Sequence, residues 1–257
     1  MILVMAIIWQ KKQNGKKYEV RSAGASRRLY TNNVCHSEFN PKSLLSGSIW
    51  DLLIIPAFFY PAGSTRRVLV LGVGGGAAIM QIRELLKPAS IVGVELDPLH
   101  LEIAERFFNV SHDIAELHLA EAEQWLNDYD GPAFDLIIDD LFTDIDRQPE
   151  RALEANSQWF TLLLRHLTHD GQLVVNFGSF EELRTCGCFT RRSIGKKFPA
   201  VFSISGPLLD NKVGVFLRRA SSAAVLRQNL VAHSRLGPAL QSKKLRYNIR
   251  PVNPAGQ

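Results

Sequence analysis

The side chains best suited to chemistry cluster at four strand-like ends between residues 68 and 140. Gly72, Gly74, Gly75 and Gly76 follow the apolar run Val68 to Leu71 and precede a helix-like stretch. Glycine belongs where a ligand approaches the backbone and where the chain adopts torsions that a Cβ would obstruct. Gly72-x-Gly74-x-x-Ala77 satisfies a dinucleotide fingerprint and Gly72-x-Gly74-x-Gly76 the looser one of methyltransferases, although a tight turn without ligand would use the same residues. Glu95 comes 23 residues after Gly72, at the end of the next apolar run. A carboxylate there can accept hydrogen bonds from both hydroxyls of an adenosine ribose. Asp97, just before Pro98, is simply explained as a helix N-cap. Glu121 and Ala122 follow a third run, where an acid can meet an adenine amino group or merely sit in a first helical turn. Asp139 and Asp140 end a fourth. Side chains alternate along a strand, so at most one of this pair faces a ligand, where it could orient a nucleophile or take its proton. A solvated strand end would look the same.

These groups must be carried by a regular framework. Strands are expected from Ile2 to Gln10 and Tyr18 to Arg21 around an Asn14-Gly15 turn, and from Arg28 to Thr31 and Val34 to Phe39 around Asn32-Asn33. Ser48 to Phe59 reads as a buried helix that Pro56 kinks or ends early. From Arg67 onward strands and helices alternate, with strands at 68–71, 90–95, 116–119, 134–139 and 172–177. The intervening helices are expected at 77–86, 98–108, 121–127 and 149–166. This succession predicts an α/β fold with a doubly wound, mostly parallel sheet, preceded by a small N-terminal antiparallel β-unit. Residues 200–205 and 212–218 form a closing antiparallel pair. The division expected is 1–55 for the β-unit, 56–219 for the nucleoside-binding domain, and 220–257 for a basic tail. That tail is partly helical to Leu230, with a poorly ordered or partner-dependent end.

Composition narrows the classes. With 257 residues, 46% of them hydrophobic, the chain can build one substantial core and is not disordered. No apolar run approaches the roughly 18 to 20 residues that span a bilayer, so no membrane association is expected. Cys35, Cys186 and Cys188 fall at no zinc or disulfide spacing, which indicates no metal site and a reducing cytoplasm. The net charge of +5 divides into +7 over residues 1–70, −13 over 71–180 and +11 over 181–257. Basic flanks suit an anionic partner. Nucleic acid is nevertheless not favoured, because the cations lack the aromatic interleaving of a single-strand platform.

The stretch from Val68 to Phe177 resembles class I S-adenosylmethionine-dependent transferases, most closely the spermidine synthase (polyamine aminopropyltransferase) branch. The glycine loop, Glu95-Leu96-Asp97 and the segment from Asp135 to Asp140 carry the likeness, with Glu121-Ala122 matching the Asp-Ala that the family uses near adenine. The resemblance implies S-adenosylmethionine or its decarboxylated form as cofactor, with Glu95 on the ribose, Glu121 on the adenine and Asp140 in the catalytic position. A homodimer acting on a small-molecule acceptor is expected. The departures fall in the diamine half: Ala77 replaces an aspartate, Trp50-Asp51-Leu52 replaces Tyr-His-Glu, and Thr143 replaces a second aspartate. A dicationic polyamine needs several carboxylates. The pattern therefore favours a spermidine-synthase-like methyltransferase of unknown acceptor, with aminopropyl transfer as the alternative.

Overall fold

The computed structural model describes residues 5–145, 148–207 and 209–253. Its N-terminal part is a four-stranded antiparallel meander of β1 (Ala6–Gln13), β2 (Lys16–Ala23), β3 (Ser26–Thr31) and β4 (Val34–Phe39). Asn14 and Gly15 both take positive φ, 52° and 76°, as a two-residue turn matched to strand twist requires. Asn32 and Asn33 do the same at 49° and 69°. Residues 1–4 of the expected first strand lie outside the described residues. Helix α1 (Ile49–Ile54) passes into a 3₁₀ turn over Ile55–Phe59 with Pro56 near its start, so the proline ends the α-helix early.

The alternating region then runs β5 (Arg67–Leu71), α2 (Ala77–Leu85), β6 (Ser90–Glu95), α3 (Pro98–Phe108), β7 (Glu116–Leu119), α4 (Ala122–Asp128) and β8 (Phe134–Asp139). A hairpin of β9 (Phe142–Ile145) and β10 (Gln148–Arg151) follows. Next come α5 (Ser157–Arg165), β11 (Leu167–Phe177), α6 (Phe180–Thr185), α7 (Gly187–Thr190), α8 (Arg192–Gly195), β12 (Ala200–Ser205), β13 (Lys212–Leu217), α9 (Ala223–Ala232), α10 (Leu236–Gln241) and β14 (Asn248–Pro251).

Eight strands form one sheet in the order β14-β12-β13-β11-β8-β5-β6-β7. Pairing is parallel from β11 to β7 and antiparallel on the other side. Both faces are covered: Val68 and Val70 join one core cluster and Leu69 and Leu71 the other. That explains why these strands read as unbroken apolar runs. The chain order reverses between β5 and β8, and the crevice at such a switch point is where open α/β sheets bind ligands.

Two expectations are corrected. The helix predicted over 149–166 begins only at Ser157, because Asn156 is its true cap and accepts from the Gln158 and Trp159 N–H groups at 3.0 and 3.1 Å. Residues 148–151 pair with β9 instead. The tail is helical to Ala232, as expected to Leu230, but its later part is packed rather than poorly ordered as far as it is described: Leu236 and Leu245 are buried, and β14 extends the large sheet along β12. Pro254 lies outside the described residues.

Candidate active site

A cavity of about 680 Å³ opens at the carboxyl ends of β5, β6, β7 and β8. Gly72, Gly74, Glu95, Glu121, Ala122 and Asp140 all line it, so one cavity collects nearly every group that the strand ends offered. Gly76 is the exception among the predicted binding residues. It caps α2 with φ 83°, and a Cβ there would press on Val110, so its place in the motif answers to packing.

Gly72 holds the two halves of the site together. Its φ is +85°, its N–H reaches Val94 O at 2.9 Å, and a side chain would overlap the carbonyl of Asp140. Gly72→Ala is therefore expected to cost on the order of 3 kcal/mol, combining left-handed strain with overpacking, and to displace Asp140. Urea unfolding measures it, and a variant within about 0.5 kcal/mol of the parent would contradict this close approach.

The side of the cavity at the ends of β6 and β7 is rich in carboxylates, Glu95, Asp97 and Glu121 lining it. Glu95 is 9% exposed. Its Oε2 accepts from Gly74 N–H at 2.8 Å and its Oε1 from Asp97 N–H at 2.9 Å. Burial opposes ionisation, yet His100 and these two N–H groups outweigh it and hold the carboxyl below its ordinary range. Asp97 caps α3 through Leu99 N–H at 2.9 Å, as expected, and also accepts the Tyr18 hydroxyl at 2.7 Å. Glu121 caps α4 through Glu123 and Gln124 N–H at 3.0 and 2.8 Å while facing the cavity. Ala122 beside it is buried. The small sheet closes this half from above the glycine loop, where Ser37 Oγ accepts Ala77 N–H at 3.0 Å.

At the end of β8 the fold gives the two aspartates different surroundings, Asp140 lining the cavity and Asp139 not. Asp139 points away from the cavity into a closed network. It pairs with Arg151 at 2.9 Å and accepts Trp159 Nε1–H at 2.8 Å. Arg151 in turn donates to Asn176 O at 2.6 Å and meets Glu182 at 3.2 Å. Asp140 lines the cavity, where Asn176 Nδ2 donates to it at 2.7 Å and Asn211 Nδ2 steadies Asn176 at 3.0 Å. Burial, reinforced by neighbouring Asp139, pushes Asp140 up to about 7 against the pull of Asn176, Trp50 and Arg151. Asp51 does not line this cavity. It accepts from Gly47 N–H at 2.8 Å and Gln81 Nε2 at 2.7 Å, and burial raises its pKa. Of the three substituted residues of α1, only Trp50 lines it.

Residues 51–208 match the Spermine/spermidine synthase domain. The chain belongs to this family. Its relatives include a probable polyamine aminopropyl transferase from Bifidobacterium longum (strain NCC 2705), 26% identical over 147 residues that cover 54% of this chain and 29% of that protein. An eEF1A lysine and N-terminal methyltransferase homolog of Drosophila melanogaster is 30% identical over 151 residues, 54% of this chain and 21% of that one. The chain thus matches less than a third of the length of either curated relative. Family members are transferases of both kinds. A probable spermidine synthase from Corynebacterium glutamicum ATCC 13032 superposes with TM-score 0.70 at 17% identity, over 89% of this chain and 88% of that one. Human methyltransferase-like protein 13 in complex with SAH superposes with TM-score 0.58 at 17% identity, over 75% and 92%. At these identities the likeness establishes the fold.

The family frame was legible in the glycine loop and strand ends, but Arg151, Asn176 and Asn211 were not. Arg151 lay inside a helix that does not form there. Asn176 is the penultimate residue of β11, whose Val175 is level with Asp139 on β8, so only strand pairing brings it to Asp140.

Proposed function

We propose that the protein is an S-adenosylmethionine-dependent methyltransferase of the spermidine synthase-like type acting on a small-molecule acceptor. The observation that carries this reading is the asymmetry of the cavity. Its nucleoside half keeps Glu95 and Glu121, whereas around the acceptor position Asp140 faces the cavity, Asp139 is bound to Arg151 and Asp51 is turned away. Among the described residues a dication in that half would meet the Asp140 carboxylate alone, and unpaired buried charge is costly. The donor set fits the nucleoside: Oε2 of Glu95 accepts one backbone N–H and keeps a lone pair for a ribose hydroxyl.

When bound, the cofactor supplies an electrophilic methyl carbon on a sulfonium and leaves as a neutral thioether. The chain's own residues contribute alignment and proton transfer. Glu95 and Glu121 hold the nucleoside, while Asn176 orients Asp140. Asp140 accepts the proton that the acceptor nitrogen or oxygen loses as its lone pair forms the new bond to carbon, and becomes neutral. Three free thiols, Cys35, Cys186 and Cys188, fit a reducing cytoplasm. The exposed apolar Ile7 and Ile8 on edge strand β1 fit a homodimer. Nucleic acid is not favoured as a partner.

Calorimetry with S-adenosylmethionine, its decarboxylated form, methylthioadenosine and NAD tests the reading. S-adenosylmethionine is expected to bind, and Glu95→Ala to lose about tenfold or more, because hydrogen bonds to a charged group contribute about 1.5 to 3 kcal/mol each. Unchanged affinity in that variant removes Glu95 from the site. Decarboxylated cofactor with putrescine is expected to yield no spermidine, and turnover of about 1 per second or more would establish the aminopropyl alternative instead.

A further inference from the structure

The small sheet lines the nucleoside half of the cavity through Tyr18, Thr31 and His36. Thr31 on β3 places its hydroxyl 2.8 Å from Nε2 of His100 on α3. The other ring nitrogen, Nδ1, faces Glu95 Oε1 at 3.8 Å. The imidazole is 7% exposed, and the rings of Tyr18 and His36 pack against it with centroids 5.9 and 5.0 Å away. His100 belongs to neither the glycine loop nor any of the strand-end motifs.

Electrostatics choose the ring's tautomer. A neutral imidazole carries one hydrogen. Were it on Nε2, the lone pair of Nδ1 would point at the Glu95 carboxylate, two electron-rich groups facing each other away from water. With the hydrogen on Nδ1, the N–H faces Glu95 and Nε2 accepts the Thr31 hydroxyl. Thr31 is itself 2% exposed, and a buried hydroxyl needs such an acceptor. This arrangement gives Nε2 a donor at 2.8 Å and turns Nδ1–H toward the carboxylate 3.8 Å away.

We propose that His100 is a positioning residue for Glu95: the Thr31 hydroxyl fixes the imidazole so that Nδ1–H holds the carboxylate charged and aimed at the ribose diol. The role rests on the nucleoside reading of the cavity and makes cofactor affinity depend on the small sheet as well as on the strand ends. Backbone N–H groups of Gly74 and Asp97 bind the same carboxylate, but both lie on the loops that the ligand itself must contact. His100 lines the cavity from a helix instead.

Calorimetry with S-adenosylhomocysteine on the full chain separates positioning from space filling. His100→Asn keeps an N–H donor near the place of Nδ1, whereas His100→Leu has nearly the same shape as Asn and no donor. The Leu variant is expected to bind about tenfold or more weakly and the Asn variant within about threefold of the parent, at matched melting temperatures. Thr31→Val preserves volume but frees the tautomer, and is expected to weaken binding about threefold. Equal affinities in the Asn and Leu variants overturn the proposal and leave the nucleoside reading standing. Should neither fold, unchanged affinity in Thr31→Val overturns it. Failure of the parent to bind removes the nucleoside reading and this proposal with it.

Discussion

Asp140→Asn is expected to lower the rate of group transfer by about 10²- to 10⁴-fold, the usual contribution of a positioned general base, while nucleoside binding persists. The carboxylate lines the cavity, and Asn176 holds it through a 2.7 Å hydrogen bond. Because its pKa is pushed up to about 7, the parent's rate should rise with pH through about 7, as the carboxylate becomes able to accept a proton. The stability sign runs the other way. A carboxyl raised above its ordinary 3.8 favours the protonated folded state, so its contribution is complete below about pH 4 and is lost as pH climbs through about 7. The melting temperature of Asp140→Asn, relative to the parent, should therefore grow between those limits and level off above them. A variant that retains more than about a tenth of the parental rate, or a parent whose rate is flat across neutrality, removes Asp140 from the proton-transfer role.

Arg151→Met is expected to destabilise the fold by about 3 to 5 kcal/mol, the cost of leaving a buried partner charge uncompensated. Asp139 has no exposed side-chain surface and Arg151 only 5%. Their pair ties β10 to β8, while further contacts of Arg151 reach the end of β11 and α6. The double variant Asp139→Leu, Arg151→Met should recover most of this loss, since an apolar pair of similar volume replaces a buried ion pair at little cost. About 1 to 3 kcal/mol should remain, because the Trp159 indole N–H loses the acceptor it has at 2.8 Å. Arg151 also helps keep Asp140 ionised, so the pH midpoint of the single variant should move upward. Urea unfolding with pH–rate profiles checks both parts. A single variant within about 1 kcal/mol of the parent would show that the network is not what anchors the β9–β10 hairpin.

The separate fates of Asp139 and Asp140 mark how far the chain could be read unaided. Strand alternation required that no more than one face the ligand. Which one depended on Arg151 and Trp159, more than ten positions away in sequence, and on a hairpin that local patterning took for the first turns of a helix. Pro149 imitates a helix start, while the cap that competes successfully, Asn156, has no advantage until α5 finds its face of the sheet. The tail was misjudged for a related reason. Its Leu residues are too few to show a period, and its prolines suggest disorder, yet the open edge of β12 gives β14 a ladder to join.

The sequence by itself determined the alternating framework, two of the three tight hairpin turns of the small sheet, and the arrival of Gly72, Glu95, Glu121 and Asp140 at one sheet edge. Each follows from interactions among near neighbours: the two-residue strand period, the left-handed tolerance of Asn and Gly, and the burial of uniformly apolar strands on both faces. Only the tertiary structure decided that Asp140 and not Asp139 lines the cavity, that Gly76 answers to packing, that Arg151, Asn176 and Asn211 stand on the Asp140 side of it, and that the His100 ring faces Glu95. Those outcomes depend on strand order and on which buried charges find partners. Coulomb and hydrogen-bond energies fall off over a few ångströms, so they act between residues whose distance in space is set by the fold and not by their separation along the chain.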